Sequence, residues 1–404
     1  MIITLFVGAM VINYLARSVL GVAAPLILEQ QAISSAQYGW ITGAFQVGVI
    51  FQPLAGFLLD GVGLKLGFAL CAIVWSLVTM AHVFASGWLG FAALRGVLGI
   101  AEGSAQPAGQ KLVAEWFPAR ERGFAGGIYN IGASFGAVLA PPLVAWAVMV
   151  HSWRLAFLVA GGLGLAWSIL WLIFYDTPKR HRALTDVERD YIADGQEKRL
   201  AATIDRASIP RLLRRRDLWG IALPRLLADP VWGMLSFWMP LYLARVRGFD
   251  LKQIAMFAWL PFLAADLGCL FGPAVAAFLH RRGVVLIDAR RATYTLGALM
   301  MTGMAFVGTA ASPYAAIALL CLGGFAHQTL SVTVITMASD LFRRNEVATA
   351  AGLAGLAGNL GVLVFSLLLG GMVERVGYQP FFILLGLLDL VGAAILWALV
   401  RRPA

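Results

Sequence analysis

The sequence has little charge: only 13% of its 404 residues are Asp, Glu, Lys or Arg. Soluble domains carry about 25% charged residues, and so few polar groups would not cover a surface that faces water. Cysteine is also scarce, because Cys71, Cys269 and Cys321 lie far apart in apolar segments without metal-ligand spacing. These shortages argue against a soluble globular protein or a disulfide scaffold, and we expect no bound metal and no cofactor.

Catalytic signatures are missing as well. The sequence has no H-E-x-x-H motif, no P-loop and no dinucleotide fingerprint in a valid context. Gly132-Ala-Ser134-Phe-Gly136 matches the G-x-S-x-G pattern of hydrolases, but it lies inside a long apolar run, where glycines four residues apart favour helix packing. We therefore do not expect an enzyme, and an intramembrane hydrolase using Ser134 is kept as a rival hypothesis.

Long hydrophobic runs dominate what is present, since 60% of the residues are apolar. A spanning helix needs roughly 20 such residues. We predict an all-α integral membrane protein with twelve transmembrane helices in two pseudo-symmetric six-helix bundles, 1–175 and 218–404, joined by a cytoplasmic linker, 176–217. The predicted spans are 1–28, 37–60, 66–86, 88–117, 123–150, 153–175, 218–244, 251–279, 292–311, 313–342, 346–373 and 378–400.

The basic residues predict the orientation. The net charge is +10, and most Lys and Arg residues fall in the linker, the C-terminal tail and the loops on one side. Because cytoplasmic loops are enriched in Lys and Arg, we predict that both termini are cytoplasmic and expect no nucleic-acid partner. Within the linker, Thr185-Asp186-Val187-Glu188 predicts the start of a short helix. The opposite loops hold Arg154, Arg245, Arg247, Lys252 and Arg375.

The two halves also repeat weakly. A shift of 225 residues places Gly136 on Gly361 and Glu102 on His327. Two like-oriented halves predict a substrate site between them, near the middle of the membrane.

Four basic residues lie well inside predicted spans, away from the span ends: Arg17, Arg95, Lys111 and Arg225. A charge at this depth costs about 2.5–3.5 kcal/mol on insertion scales, so something must offset it. Arg17 is interpreted either as a clamp for a substrate carboxylate, which a planar guanidinium matches with two hydrogen bonds, or as the partner of a carboxylate on a neighbouring helix.

Glu102 follows Arg95 by seven residues, so the two side chains share one helix face. An acidic residue inside a membrane helix is typical of proton relays, and we interpret Glu102 either as the proton carrier or as half of a structural Arg–Glu pair.

Polar residues also interrupt the second half. His327, at the repeat position of Glu102, is followed by Gln328, and Asp229 stands before Pro230 and Trp232 in the seventh span. Proline breaks the helical hydrogen bonds and frees carbonyls that can line a cavity. Two more aspartates in spans are interpreted as structural: Asp266 and Asp389.

The segment from Gly56 to Lys65 follows the second span. Its glycines predict a tight turn, and Asp60 is expected to pair with a basic residue or to cap a neighbouring helix. We assign a conformational role to Gly56, Asp60 and Lys65.

This segment resembles the signature loop of the major facilitator superfamily, in a degenerate form that keeps Lys65. The segment around Arg17, the Arg95–Glu102 spacing and the segment 115–122 resemble the anion:cation symporter family within it. Further stretches are similar to bacterial hexuronate transporters: Tyr14-Leu-Ala-Arg17, Trp219-Gly-Ile-Ala-Leu-Pro-Arg225, Ile254-Ala-Met-Phe-Ala-Trp259, Gly323-Gly-Phe-Ala-His-Gln328 and Arg344-Asn-Glu-Val-Ala-Thr349.

The resemblance implies proton-driven uptake of hexuronates such as glucuronate and galacturonate across a bacterial inner membrane. It implies that Arg17 holds the substrate carboxylate and that Glu102, paired with Arg95, carries the proton. Some members place an aspartate just before the first-helix arginine as a second proton site. Here Ala16 occupies that position, so we prefer one proton per substrate.

The substrate is expected to meet residues from both halves, in a monomeric protein embedded in the lipid bilayer. Open alternatives are sodium coupling, other sugar acids such as galactonate or glucarate, other organic anions, and a transport-silent sensor. The predicted substrate-binding residues are Arg17, Asn13, Phe45, Arg95, Asn130, Asp229, Trp232, Trp238, His327, Gln328 and Asn359.

Overall fold

The computed structural model describes residues 2–117, 122–181, 184–194, 209–342 and 346–400. Part of the predicted linker and of the loop after Phe342 therefore lies outside the described residues. The side chains of Asp60 and Asn130 lie outside them too. In the described ranges the chain consists of helices and short connections.

Contacts between Cα atoms divide the chain into two units. The first comprises Met1–Ile33 and Ala44–Thr203. Within it, α1 packs along α7 and α8, and α4 packs on α8 and α5. Its described helices, of which α2 is shared with the second unit, are α1 Ile2–Gln30, α2 Ser35–Ile50, α3 Gln52–Val62, α4 Leu64–Ala81, α5 Gly87–Glu102, α6 Ala105–Trp116, α7 Arg122–Val150, α8 Trp153–Phe174 and α9 Asp186–Asp194.

The second unit comprises Ser34–Gly43 and Ile204–Ala404. Here α11 packs on α18 and α19, α15 packs on α17, and α16 packs on α17 and α19. The division into bundles 1–175 and 218–404 stays a prediction. The described helices are α10 Ile209–Leu213, α11 Arg216–Ala228, α12 Pro230–Gly233, α13 Met239–Arg245, α14 Leu251–Phe257, α15 Leu260–Arg281, α16 Leu286–Met301, α17 Pro313–Leu341, α18 Val347–Val376 and α19 Gln379–Leu399.

Several helices have the length and apolarity of membrane spans. In lipid a segment must satisfy its own backbone hydrogen bonds, which a helix does. Shorter helices account for other predicted spans, and the count of twelve stays a prediction. Seven segments in the described ranges meet the length and hydropathy expected of a span: Ile2–Gln30, Leu64–Phe84, Trp153–Phe174, Leu251–Arg281, Pro313–Ala338, Thr349–Val376 and Gln379–Leu399.

Two spans predicted as continuous are broken in the structure. Within the predicted span 88–117, α5 ends at Glu102 and α6 begins at Ala105, after a turn at Gly103 and Ser104. The predicted span 37–60 is divided at Phe51, because Pro53 near the start of α3 cannot donate a backbone hydrogen bond. The break in 88–117 leaves Glu102 at a helix end.

The seventh span is interrupted where the sequence predicts it. α11 ends at Ala228, Asp229 follows, and α12 begins at Pro230. Met234–Trp238 then forms a π-helical turn, in which the Met239 N–H donates to the Met234 carbonyl five residues earlier. Pro240 follows this turn and has no N–H to offer, which favours the wider hydrogen-bond spacing.

Glycines bring the long helices into close contact. A Cβ on Gly136 of α7 would lie 2.3 Å from the Val11 carbonyl oxygen of α1. A Cβ on Gly361 of α18 would lie 2.0 Å from the Leu226 carbonyl oxygen of α11. The Gly132–Gly136 pair is thus a helix-packing face, as the sequence predicts.

The linker contains the short helix that its capping signal predicts. The Thr185 N–H donates to Glu188 Oε2 at 2.9 Å, and the Glu188 N–H donates to Thr185 Oγ1 at 3.3 Å. These two bonds form a capping box at the start of α9. The Thr185 backbone N–H, with its hydroxyl, lowers the pKa of Glu188.

Candidate functional site

An intramembrane ion pair lies in the first unit. Arg17, near the middle of α1, donates from Nε to Glu102 Oε2 at 3.0 Å. Glu102 ends α5 and is buried, whereas the Arg17 side chain keeps 20% of its surface exposed. Because burial removes the solvation of both charges, each stabilises the other in the membrane. Arg17 is therefore the more accessible member of the pair.

Arg95 lies beside the Arg17–Glu102 ion pair. The sequence places Arg95 and Glu102 on one face of α5, and the resemblance implies that they pair. The structure gives Glu102 its salt bridge with Arg17, and Arg95 adds an electrostatic attraction. Arg95 is buried, and its Nη2 donates to the backbone carbonyl of Arg17 at 3.1 Å. This bond fixes α1 at the position from which the Arg17 side chain projects.

Aromatic rings surround the two guanidinium groups. Cζ of Arg17 lies 4.5 Å from the ring centre of Tyr14 and 5.0 Å from that of Phe45. Cζ of Arg95 lies 5.6 Å from the Phe45 ring centre. The negative face of an aromatic ring attracts a cation, so Phe45 stabilises both arginines. Tyr14 is not among the predicted binding residues, although a position three residues before Arg17 lies on the same helix face.

Buried polar atoms beside the ion pair have no hydrogen-bond partner among the described residues. Asn13 accepts from Arg17 Nη2 at 3.4 Å, while its own Nδ2 is unpartnered. Glu102 Oε1 is likewise unpartnered. Buried polar groups are normally satisfied, so this donor and this acceptor are suited to the hydroxyl groups of a polyol ligand.

A second charged pair lies where the seventh predicted span is interrupted. Arg225 on α11 donates from Nη2 to Asp229 Oδ2 at 3.1 Å, one helical turn away. Asp229 also lies against α18, since a Cβ on Gly358 would be 1.9 Å from its Oδ2. Arg225 is predicted as an intramembrane cation without an assigned partner, although its spacing of four residues from Asp229 permits a helical ion pair.

Trp232 and His327 lie together near this pair. Their rings stack with centres 5.8 Å apart, and Trp232 meets Phe262 edge-on at 5.4 Å. His327 is buried, and its Nδ1 has no hydrogen-bond partner among the described residues. The structure therefore brings together Asp229, Trp232 and His327, three of the predicted binding residues.

The structure places three further predicted binding residues in the second unit. Trp238 is fully buried, with its Nε1 3.4 Å from Ser366 Oγ and its ring against Tyr38. Gln328 and Asn359 are half-buried on α17 and α18. Their roles in binding a ligand stay predictions.

The segment from Gly56 to Lys65 turns only at its end. Gly56 lies inside α3, not in a turn, and α3 is joined to α4 at Gly63, whose φ of +90° favours glycine. Lys65 Nζ donates to Asp176 Oδ2 at 3.4 Å. The Thr177 backbone N–H, with help from Lys65, lowers the pKa of Asp176. The conformational role of this segment stays a prediction.

Comparison with known proteins assigns the fold and the family. The family model of the Major Facilitator Superfamily matches residues 6–288 and 271–404. The hexuronate transporter of Escherichia coli K12 is 46% identical over 398 residues, 98% of this chain and 92% of that protein. The galacturonate transporter of Dickeya chrysanthemi is 47% identical over 311 residues, 76% of this chain and 90% of that protein.

A solved structure has the same fold. The crystal structure of a D-xylose–proton symporter superposes with a TM-score of 0.74 at 16% identity, covering 99% of this chain and 97% of that one. The resemblance to bacterial hexuronate transporters in the sequence is thus confirmed, and it extends over nearly the whole chain. On this evidence, the protein is a multi-pass membrane protein that belongs to the Major Facilitator Superfamily.

Proposed function

We propose that the protein is a proton-coupled symporter that takes up hexuronates, such as glucuronate and galacturonate, across a bacterial inner membrane by alternating access. In this proposal twelve helices form two pseudo-symmetric bundles, and both termini are cytoplasmic. The names of its relatives support the substrate class. Membership of a transporter superfamily excludes an enzyme using Ser134.

The single observation that carries the proposal is the Arg17–Glu102 ion pair. Arg17 lies 15 residues from the start of α1 and 13 from its end. At about 1.5 Å per residue it is roughly 20 Å from either end, close to mid-membrane depth. A partly exposed guanidinium at this depth has the charge and the planar geometry to bind the carboxylate of a hexuronate.

Coupling follows from competition between two carboxylates for one guanidinium. While Glu102 is ionised, it occupies Arg17 at 3.0 Å. A proton on Glu102 removes that charge and leaves Arg17 able to bind a substrate anion, so proton and substrate bind together. One proton with one monoanion moves no net charge through this half of the site, and the pH gradient drives uptake.

Further residues in each unit have side chains that can bind the hydroxyls or the apolar faces of a sugar. Asn13 Nδ2 and Glu102 Oε1 are available to hydroxyl groups. In the second unit, Trp232 and His327 offer ring faces and Asp229 offers a carboxylate. We assign these residues to the hydroxyls and apolar faces of the hexuronate.

The test is uptake of labelled glucuronate by proteoliposomes under an imposed pH gradient. Wild-type protein should accumulate glucuronate, and the accumulation should not require sodium. Glu102→Gln should lose accumulation but keep counterflow exchange, because the neutral side chain mimics the protonated state. Glu29→Gln is a matched control, since Glu29 is exposed at the end of α1. Accumulation by Glu102→Gln would assign the proton to another group.

A competitor panel distinguishes the substrates. Unlabelled galacturonate should compete strongly, whereas galactonate and glucarate should compete weakly because they lack the closed ring. Stronger competition by either open-chain acid would replace hexuronate as the substrate class.

A further inference from the structure

We propose that Asp389 on α19 is a second proton-binding group, and that its proton is exchanged with water during the transport cycle. This inference rests on the proposed function, because it adds a proton to the transport that Arg17 and Glu102 perform. It concerns a cluster in the second unit that their chemistry does not use.

Asp389 is buried at the middle of its helix. It is 0% exposed, and neither carboxyl oxygen has a hydrogen-bond partner among the described residues. It lies ten residues from each end of α19, which runs from Gln379 to Leu399. At about 1.5 Å per residue, each end is roughly 15 Å away.

The surrounding helices offer it no free positive charge. From α16, Tyr294 is fully buried beside it, and the Tyr294 hydroxyl donates to the Pro224 carbonyl at 3.4 Å. Gly392, one turn after Asp389, makes room for that hydroxyl, since a Cβ there would lie 2.7 Å from Tyr294 Oη. From α11, Arg225 already donates to Asp229.

The other charges near Asp389 do not compensate its own. Asp229 interacts electrostatically with both Asp389 and Tyr294, so a charged Asp389 would be repelled by it. Further along α16, Asp288 and Arg291 pair with each other at 2.9 Å. An ionised carboxylate without a counter-charge is very costly in a dry interior, and the group takes a proton instead.

A path to water lies through the Arg225–Asp229 pair. Their side chains are 20% and 13% exposed, so this pair is where water can approach Asp389. When water enters this cluster, the Asp389 O–H bond breaks and the proton passes to water. The carboxylate that remains is then stabilised by the water that has entered. Reprotonation from the other side reverses this step, and no other bond changes.

The consequence is electrical. A monoanion carried with protons on Glu102 and Asp389 moves one net positive charge inward. An inside-negative potential of about 100 mV acts on one charge with about 2.3 kcal/mol, which corresponds to about 50-fold more accumulation at equilibrium.

The experiment uses full-length protein and two readouts. Infrared difference spectra of the purified protein, recorded as pH is raised, should show a protonated-carboxyl band that is lost. Recorded in a Glu102→Gln background, which removes the contribution of Glu102, the band should be absent after Asp389→Asn and present after the control Asp266→Asn, which removes another aspartate from a span. In proteoliposomes, a potassium-diffusion potential should increase glucuronate accumulation about 50-fold in wild type and leave Asp389→Asn unchanged.

Each outcome decides the inference. A band that persists in Asp389→Asn, or wild-type uptake that ignores the potential, overturns it. A potential response that survives in Asp389→Asn shows that the proton is structural and also overturns it. If wild type does not transport glucuronate at all, the proposed function fails, and the infrared band alone decides whether Asp389 is protonated. Asp389→Glu, which should keep both signals, shows that any loss in Asp389→Asn is not due to misfolding.

Discussion

At the residue scale, the chemistry depends on how one guanidinium divides its hydrogen bonds. Arg17 meets Glu102 through Nε, Asn13 through Nη2, and two aromatic rings through its face. A planar group with a fixed fork of donors serves these partners simultaneously, whereas an ammonium does not. The identity of this side chain therefore matters as much as its charge.

Arg17→Lys tests this requirement. The substitution keeps the positive charge but removes the bidentate fork and the ring stacking, so glucuronate binding should weaken about 10- to 100-fold, as expected for losing a charge-assisted hydrogen bond. Isothermal titration with purified protein measures the affinity. Arg281→Lys, at an exposed position after the apolar part of α15, should bind normally. Unchanged affinity in Arg17→Lys would show that Arg17 contributes only its positive charge to glucuronate binding.

The sequence predicts which residues matter at this site better than it predicts their partners. The cost of burying Arg17 and Glu102 follows from composition alone. Their pairing does not, because it depends on which helix lies opposite α5. A Cβ on Gly99 would lie 2.2 Å from the Phe45 carbonyl oxygen, so α2 packs closely there and carries Phe45 to both arginines. A single sequence does not specify that neighbour.

At the element scale, helix breaks differ in how clearly the sequence predicts them. In the sequence, Pro230 predicts the end of α11, and the capping box predicts the start of α9. The turn at Gly103 and Ser104 has a weaker signal, because glycine and serine also occur inside membrane helices. Pro107, in the first turn of α6, has no N–H to donate to the Gly103 carbonyl. This proline favours a break before α6 and so helps to place Glu102 at a helix end.

Close packing of α18 on α11 gives a prediction at this scale. Gly361→Ala would place a Cβ 2.0 Å from the Leu226 carbonyl oxygen, so the helices must separate. We expect a loss of about 1–3 kcal/mol in stability, the usual cost of overpacking. Gly371→Ala on the same helix has no atom within 4 Å of its new Cβ and should be tolerated. Thermal unfolding in detergent compares the two variants, and equal melting temperatures would contradict the packing.

At the scale of the whole molecule, the sequence predicts membrane character and orientation from bulk properties. Hydrophobic content identifies the class of protein, and the distribution of Lys and Arg predicts the side of each loop. These bulk properties do not predict that Ser34–Gly43 belongs to the second unit. It depends on which residues α2 contacts, as when Ser35 N–H donates to Glu374 at 2.9 Å.

The orientation is open to direct measurement. Green fluorescent protein fused after Ala404 should fluoresce, because it folds in the cytoplasm. Alkaline phosphatase fused after His151, in the loop between α7 and α8, should be active, because it requires the periplasm. The predicted topology would be wrong if the green fluorescent protein fused after Ala404 did not fluoresce and alkaline phosphatase fused after Ala404 were active.

The π-helical turn at Met234–Trp238 has a mechanical consequence. It is an α-helix with one residue too many in a single turn. Each residue of an α-helix accounts for about 100° of rotation, so tightening this turn would swivel the segments on its two sides against each other by that angle. Trp232 lies before the turn and Met239 after it. Such a change would turn the Trp232 indole ring in a new direction while the helices on both sides stay intact.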